Sequence, residues 1–255
     1  MRKYSKHIGI FVSFLLFQFV LIAQSPMEMA EDADDMYKQG QYDEAVSLYE
    51  HVLQMGYHSA ELYYNLGNSY YRLNNIGRAI LNYNRALHLN PHLTDAKENL
   101  TLAETKTQDR ITTLPQFFVF RWITSLAQMF SPRGWLIMWL EMIALTAVAI
   151  FFLFTGKTLT VKKIGLSLSI VMAILLLISI GVGLKSFTQY NSHNRAVVVE
   201  PSVSVKSSPE GTSTDKLILH EGTTLIVCDS VSQWYKIKIA DGNTGWVEMQ
   251  SIEKI

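Results

Sequence analysis

Apolar residues along this chain keep three rhythms. In 135–154 and 164–184 they are nearly continuous, from Met27 to Lys106 they recur at helical spacing, and from Ala196 to Glu248 they alternate with polar residues. A continuous run of about 20 residues, rising about 1.5 Å per residue, covers the roughly 30 Å of a bilayer core, so each is predicted to be a transmembrane helix. The link 155–163 is short and carries Lys157, Lys162 and Lys163. It can only turn the chain back, which makes the two runs a hairpin and puts both flanking regions on one side of the membrane. The helical rhythm predicts an α-helical solenoid over 24–110. The alternation predicts a small all-β barrel over 195–255, reached through a linker at 185–194.

The second run has no charge, and Ser167, Ser169, Ser179, Gly181 and Gly183 are small enough to let a neighbouring helix approach. The first run carries Glu141, about two turns inside an end marked by Trp135 and Trp139, whose indoles suit a membrane interface. A carboxylate at that depth is expected to meet a partner span or Ser179 of the second run, or else to draw water from the interface. Ahead of both spans, Arg2, Lys3 and Lys6 precede the apolar stretch Ile8 to Ile22, and Ala23 stands before polar Gln24. That describes a signal peptide over 1–23, with an uncleaved anchor as the alternative. Either one exports the segment after Ser25 and leaves the link 155–163 cytoplasmic, in agreement with its lysines.

Within the helical region Ala45, Tyr49 and Val52 recur as Ala79, Tyr83 and Ala86, 34 positions later. The second copy, from Ala60 to Pro91, resembles the tetratricopeptide repeat at Tyr63, Leu66, Gly67, Tyr70, Ala79, Tyr83, Ala86 and Pro91. Gly67 and Ala79 are small where two antiparallel helices would cross, and Pro91 cannot donate the next helical hydrogen bond. The first copy is degenerate, with Tyr57 at the proline position, and a helix from Leu93 to Lys106 is expected to cap the last edge. Repeats of this family bind peptide segments along the concave face of their first helices. The resemblance therefore implies Tyr37, Lys38, Tyr64, Asn68, Tyr71 and Arg72 as partner-binding candidates; the competing reading packs the tyrosines against the next helix. The clustered basic residues of repeats that clamp C-terminal carboxylates are not evident.

From Pro115 to Pro132, Phe118, Trp122, Ile123, Leu126, Met129 and Phe130 can share one helical face. An interfacial helix on the membrane surface within 111–134 is expected, against the alternative of a core helix under the repeats. In the β region, Val203 to Pro209, Leu219 to Thr223, Trp234 to Ile237 and Asp241 to Val247 resemble the bacterial SH3-like domain in four places and in order. Such domains bind cell-wall peptides or proteins, which makes Trp234 and Tyr235 a candidate surface. One of this pair should face inward and the other outward. Trp246 is expected in the barrel core.

Composition narrows the function. The 22 basic and 22 acidic side chains balance, which argues against nucleic acid as a partner. Cys228 is the only cysteine, so there is no internal disulfide framework, and its place in Thr224-Leu-Ile-Val-Cys predicts a buried strand residue. His88 and His92 are four apart, but Pro91 separates them at a helix end and no acidic or cysteine partner is suggested, and no phosphate loop or nucleophile elbow is present. Glu28, Glu31, Asp32, Asp34 and Asp35 read as the solvated face of an amphipathic helix. No catalytic residue, cofactor or metal site is expected.

Signal segment, repeats, hairpin and SH3-like domain, in this order, resemble the BatE-like proteins of the Bacteroides aerotolerance operon family. The resemblance implies a non-enzymatic scaffold of the bacterial inner membrane, with both soluble domains periplasmic, beside von Willebrand A-type membrane proteins and, indirectly, a MoxR-type ATPase. A cell-wall sensor acting through the SH3-like domain is the alternative.

Overall fold

The computed structural model describes residues 25–112, 117–127, 129–190 and 194–255. The expected signal segment, 1–23, lies outside them. The described chain divides into two compact units. One joins the residues up to Arg110 with Ala196–Ile239 and Asn243–Ile255, and the other holds the apolar helices within Ile111–Arg195.

In the first unit the helices are α1 (Pro26–Lys38), α2 (Tyr42–Gln54), α3 (Ala60–Arg72), α4 (Ile76–Leu89) and α5 (Thr94–Glu104). Local chemistry sets their ends. The Ser25 hydroxyl accepts from the Glu28 amide while the Glu28 carboxylate accepts from the Ser25 amide, and Pro26 takes the first helical position, where its missing N–H costs nothing. Ser59 and Asn75 cap α3 and α4 by accepting from the Leu62 and Arg78 amides. Gly40 and Gly56, with φ of +81° and +87°, turn the chain after α1 and α2. At the α3–α4 crossing the sequence expectation is met, because a Cβ on Gly67 would stand 2.8 Å from the Tyr83 ring. Ala33, Ala45 and Ala79 are fully buried in the same core with Tyr49, Leu66 and Tyr83.

The strands are β1 (Arg195–Val198), β2 (Ser202–Lys206), β3 (Asp215–His220), β4 (Thr224–Val231), β5 (Trp234–Lys238), β6 (Thr244–Glu248) and β7 (Ile252–Lys254). They form one antiparallel sheet in the order β3-β2-β6-β5-β4-β1-β7. The ladder has two ends, β3 and β7, so the sheet is open where the sequence suggests a closed barrel. The short C-terminal strand β7 pairs with β1 through Val197 and Glu253, and Val197, Val199 and Ile255 then join the hydrophobic core of the repeats. That end of the sheet is buried against helices and has no need to close on β3.

Solenoid and sheet thus share one core, whereas the sequence reads as two separate domains. The docking explains α4, which is buried on nearly every side, including Asn82 and Asn84. Their amide nitrogens donate to the Arg78 and Ile80 carbonyls, each at 2.8 Å. A Cβ on Gly77 would press on the Val198 carbonyl at 3.0 Å.

Three expectations, two for the sheet and one for α1, are corrected. Cys228 is exposed, because alternation from the buried Leu225 puts it on the outer face of β4 with Ile226, at a bulge between Val227 and Asp229. Gly245 and Val247 take the buried positions of β6, so alternation turns Trp246 to the other face, where it is half-buried with the Lys236 ammonium 6.0 Å from its ring centre. Asp34, read as a solvated helix-face acid, accepts from the buried Tyr49 hydroxyl and from Asn65 Nδ2.

The second unit contains α6 (Phe118–Ala127), α7 (Pro132–Thr155) and α8 (Leu159–Tyr190). The last two are long and apolar enough to cross a membrane, with mean hydropathies of 2.4 and 2.6. Only 156–158 separates them, so most of the expected link, and most of the expected linker at 185–194, is helical. The Thr158 hydroxyl accepts from the Val161 amide and starts α8 before its apolar stretch begins. Small residues hold the hairpin together. A Cβ on Gly165 would sit 2.9 Å from the Ala149 carbonyl, and one on Gly183 would enter the Trp139 ring. Ser179 turns back to the Leu176 carbonyl and lies beside Met142 Sδ, so the expected contact with Glu141 is not made. Helix α6 leaves Phe118, Trp122 and Leu126 exposed and is tied to the hairpin by the Lys185–Thr124 and Trp135–Ala127 hydrogen bonds.

Candidate functional site

The first helices of the repeats carry an open hollow of about 190 Å³ lined by Tyr37, Asn68, Tyr71, Arg72, Tyr83, Asn99 and Leu102. Its floor is a hydrogen-bonded set. Tyr83 Oη and Asn99 Nδ2 both donate to Asn68 Oδ1 at 2.8 Å, and Asn99 Nδ2 also reaches Tyr64 Oη at 3.4 Å. This uses the oxygen of Asn68 and leaves its Nδ2 without a partner among the described residues. Burial first, then the neighbouring Tyr64, Tyr37 and Tyr71, push the Tyr83 phenol well above its ordinary value, so it stays a neutral donor. At the rim, Arg72 Nε donates to Tyr37 Oη at 3.4 Å and its guanidinium stands 5.7 Å from the Tyr42 ring centre. The Lys106 ammonium lies 4.1 Å from the centre of the Tyr71 ring.

Of the residues implied by the repeat resemblance, Tyr37, Asn68, Tyr71 and Arg72 line the hollow. Tyr64 stands behind them, 6.2 Å from the Tyr83 ring, and packs against the core. Lys38 is elsewhere, paired with Asp35 at 2.8 Å on the exposed surface. Sequence reasoning missed Tyr83, which reads as core, and Asn99, Leu102 and Lys106, which read as parts of a capping helix. The spacing of Asn99 and Leu102 on a face separate from Ala96 and Ala103 is the signal that could have found them.

Behind the hollow, the turn between β3 and β4 clasps the solenoid. Asp109 accepts from the His220 amide at 2.7 Å, His220 Nδ1 at 2.7 Å and Thr223 Oγ1 at 2.6 Å. The Glu221 carboxylate accepts from the Gly77 amide at 3.1 Å, using a free donor at the start of α4. Glu253 pairs with Arg85 at 3.4 Å and Arg78 at 3.8 Å, and Arg85 also donates to the Lys254 carbonyl at 2.8 Å. On α3, Tyr70 Oη donates to Glu50, and burial followed by that bond pushes its phenol up to about 12.

Burial would raise the Asp109 carboxyl, but the donors of Thr223 and His220 outweigh it and hold the group below 3.8. A depressed carboxylate adds stability above its unfolded value and loses it as pH falls through the folded one. Acidification below about pH 4 is therefore expected to loosen the clasp. In melts of the whole chain from pH 6 to 3, the Asp109→Asn variant should lose less stability than the natural protein. Parallel curves would show that Asp109 does not carry this effect.

On the sheet, Trp234 shares the outward face with Lys236, while Tyr235 lies on the side of Ile237 with the Lys254 ammonium 4.6 Å from its ring centre. Both rings are half-buried. Among the described residues no three His, Cys, Asp or Glu side chains converge to hold a metal.

Residues 60–93 match the tetratricopeptide repeat family model, and residues 33–74 match a second model described as TPR repeat. The second match takes in the degenerate first copy, so the chain carries tetratricopeptide repeats across both. No curated protein matches the chain.

Proposed function

We propose that this protein is a non-enzymatic, membrane-anchored scaffold that holds an extended segment of a partner protein in the hollow of its repeats. The observation that carries this reading is the convergence of Tyr37, Asn68, Tyr71, Arg72 and Asn99 on one open hollow. The unpartnered Asn68 amide suits a peptide carbonyl, the tyrosine faces suit apolar or planar side chains, and Arg72 and Lys106 favour a segment with acidic character. The hairpin of α7 and α8 anchors the scaffold in a bacterial inner membrane with solenoid and sheet on the periplasmic side. The resemblance to BatE-like proteins supports an envelope role connected with aerotolerance, with von Willebrand A-type membrane proteins as partners. A cytoplasmic MoxR-type ATPase would then act through the spans or a partner, because 156–158 is too little chain to receive it.

Photo-crosslinking in native membranes tests the reading, with the reactive group at Leu102 beside the hollow and a control at Tyr57. Protein adducts are expected at Leu102, reduced about tenfold when Tyr71→Ala and Arg72→Ala remove the aromatic and cationic contacts. Equal yields from Leu102 and Tyr57, or yields that ignore the two substitutions, would remove the hollow as the binding site.

A second reading has its own observation, since Trp234 and the outward-turned Trp246 offer indole faces beside Lys236 on the exposed side of the sheet. If the sheet is SH3-like in function as well as sequence, a cell-wall peptide would bind there. Saturable binding of the whole chain to isolated cell wall, lost with Trp234→Ala, would favour that sensor role.

A further inference from the structure

Helix α7 uses one side for the hairpin and leaves another bare. Trp135, Trp139, Met142 and Ala149 face α8, as the contacts of Gly183, Ser179 and Gly165 show. Glu141 is turned away from this seam by more than a quarter of a turn and is exposed, between Ile137 and Leu145 and in line with Val148 and Phe152, all exposed as well. It lies about 14 Å along the axis from Pro132. A glutamate side chain reaches less far toward the headgroups than lysine or arginine does.

Among the described residues no cation pairs with it. Arg133 is eight residues earlier on α7, roughly 12 Å away along the axis. Lys185 donates to Thr124, and Lys162 and Lys163 stand in the opening turns of α8, at the far end of the hairpin. A carboxylate placed in lipid without a counter-charge is unfavourable, and such groups in spans pair with one another or with donors. A second copy docked through the same face would bring two carboxylates together and no cation. Charge complementarity therefore selects a different occupant.

We infer that the bare face of α7 around Glu141 is the docking site for a transmembrane helix of another protein that carries lysine or arginine at the same depth. The small Ala144 beside Glu141 allows close approach. This inference rests on the reading of the hairpin as membrane-spanning, and the two can fail separately.

The test uses the whole chain in native membranes with a photo-reactive side chain at Leu145, one turn from Glu141, and a control at Leu177 on α8. The expected result is an adduct with a span of a different protein, mapped by mass spectrometry to within about one turn of a lysine or arginine. Glu141→Gln, which keeps shape and hydrogen bonding but not charge, should lower that adduct at least about tenfold. Glu141→Lys combined with a glutamate at the partner's basic position should restore it. Adducts with a second copy of this chain, an unchanged yield in Glu141→Gln, or lipid adducts alone would overturn the inference while leaving the hairpin in the membrane. Neither lipid nor protein adducts at Leu145 and Leu177 would overturn the membrane reading itself.

Discussion

Replacing Tyr83 by alanine is expected to lower the thermal midpoint of the soluble unit by about 10 °C, since removing a large buried aromatic costs about 3–5 kcal/mol. Tyr83 is 1% exposed, its ring fills the space that Gly67 leaves open, and its hydroxyl donates to Asn68. The alanine variant therefore leaves a cavity at the α3–α4 crossing and takes one donor from the floor of the hollow. Tyr83→Phe separates these effects. It keeps the packing and loses only the bond to Asn68, worth about 1 kcal/mol. Melts of the whole chain in detergent, followed by intrinsic fluorescence, should rank natural protein, phenylalanine and alanine in that order. An alanine variant within two or three degrees of the natural protein would mean that the crossing collapses around the gap, and that Tyr83 matters less than its burial suggests.

Gly222→Val is expected to part the sheet from the solenoid. Gly222 has φ of +84°, and a Cβ there would lie 2.7 Å from Thr107 Cγ2 and 2.8 Å from Ile80 Cδ1. Backbone strain of about 1–3 kcal/mol adds to overpacking of about 1–3 kcal/mol at a contact that has no free space. Both fall on the turn that carries the Asp109 clasp. Amide exchange should therefore rise first at 220–223 and along the sheet-facing side of α4, where Asn82 and Asn84 would meet water. The α1–α2 pair, which makes no part of this contact, should keep its protection. Gly211→Val is the control, because a Cβ at Gly211 meets nothing within 4 Å. If Gly222→Val and Gly211→Val exchange alike, the junction is not held by this turn.

These two residues differ in how far the sequence exposes them. Gly67 and Tyr83 fall at positions of a local repeat, so their meeting follows from helical period and residue size alone. Gly222 reads as an ordinary turn glycine after β3, and nothing near it names Ile80 or Thr107, more than a hundred residues away. Cys228 shows the same limit on a smaller scale. The apolar run around it suggests burial, but the fold turns Leu225 inward and so leaves Cys228 on the exposed face. Strand β7 escapes notice because three residues are too few to display a period.

The chain's order of residues was by itself enough to determine the repeats, the two apolar helices, six of the seven strands and four of the residues that line the hollow. Each depends on a period, a run length or a cap that acts over a few neighbours. Only the tertiary structure decided that solenoid and sheet share one core, that α5 completes the hollow through Asn99 and Leu102, and that Glu141 faces away from Ser179. Those outcomes depend on which surfaces meet across long stretches of chain, and a contact of that kind is selected by the fit of whole faces, for which a linear pattern carries no coordinate.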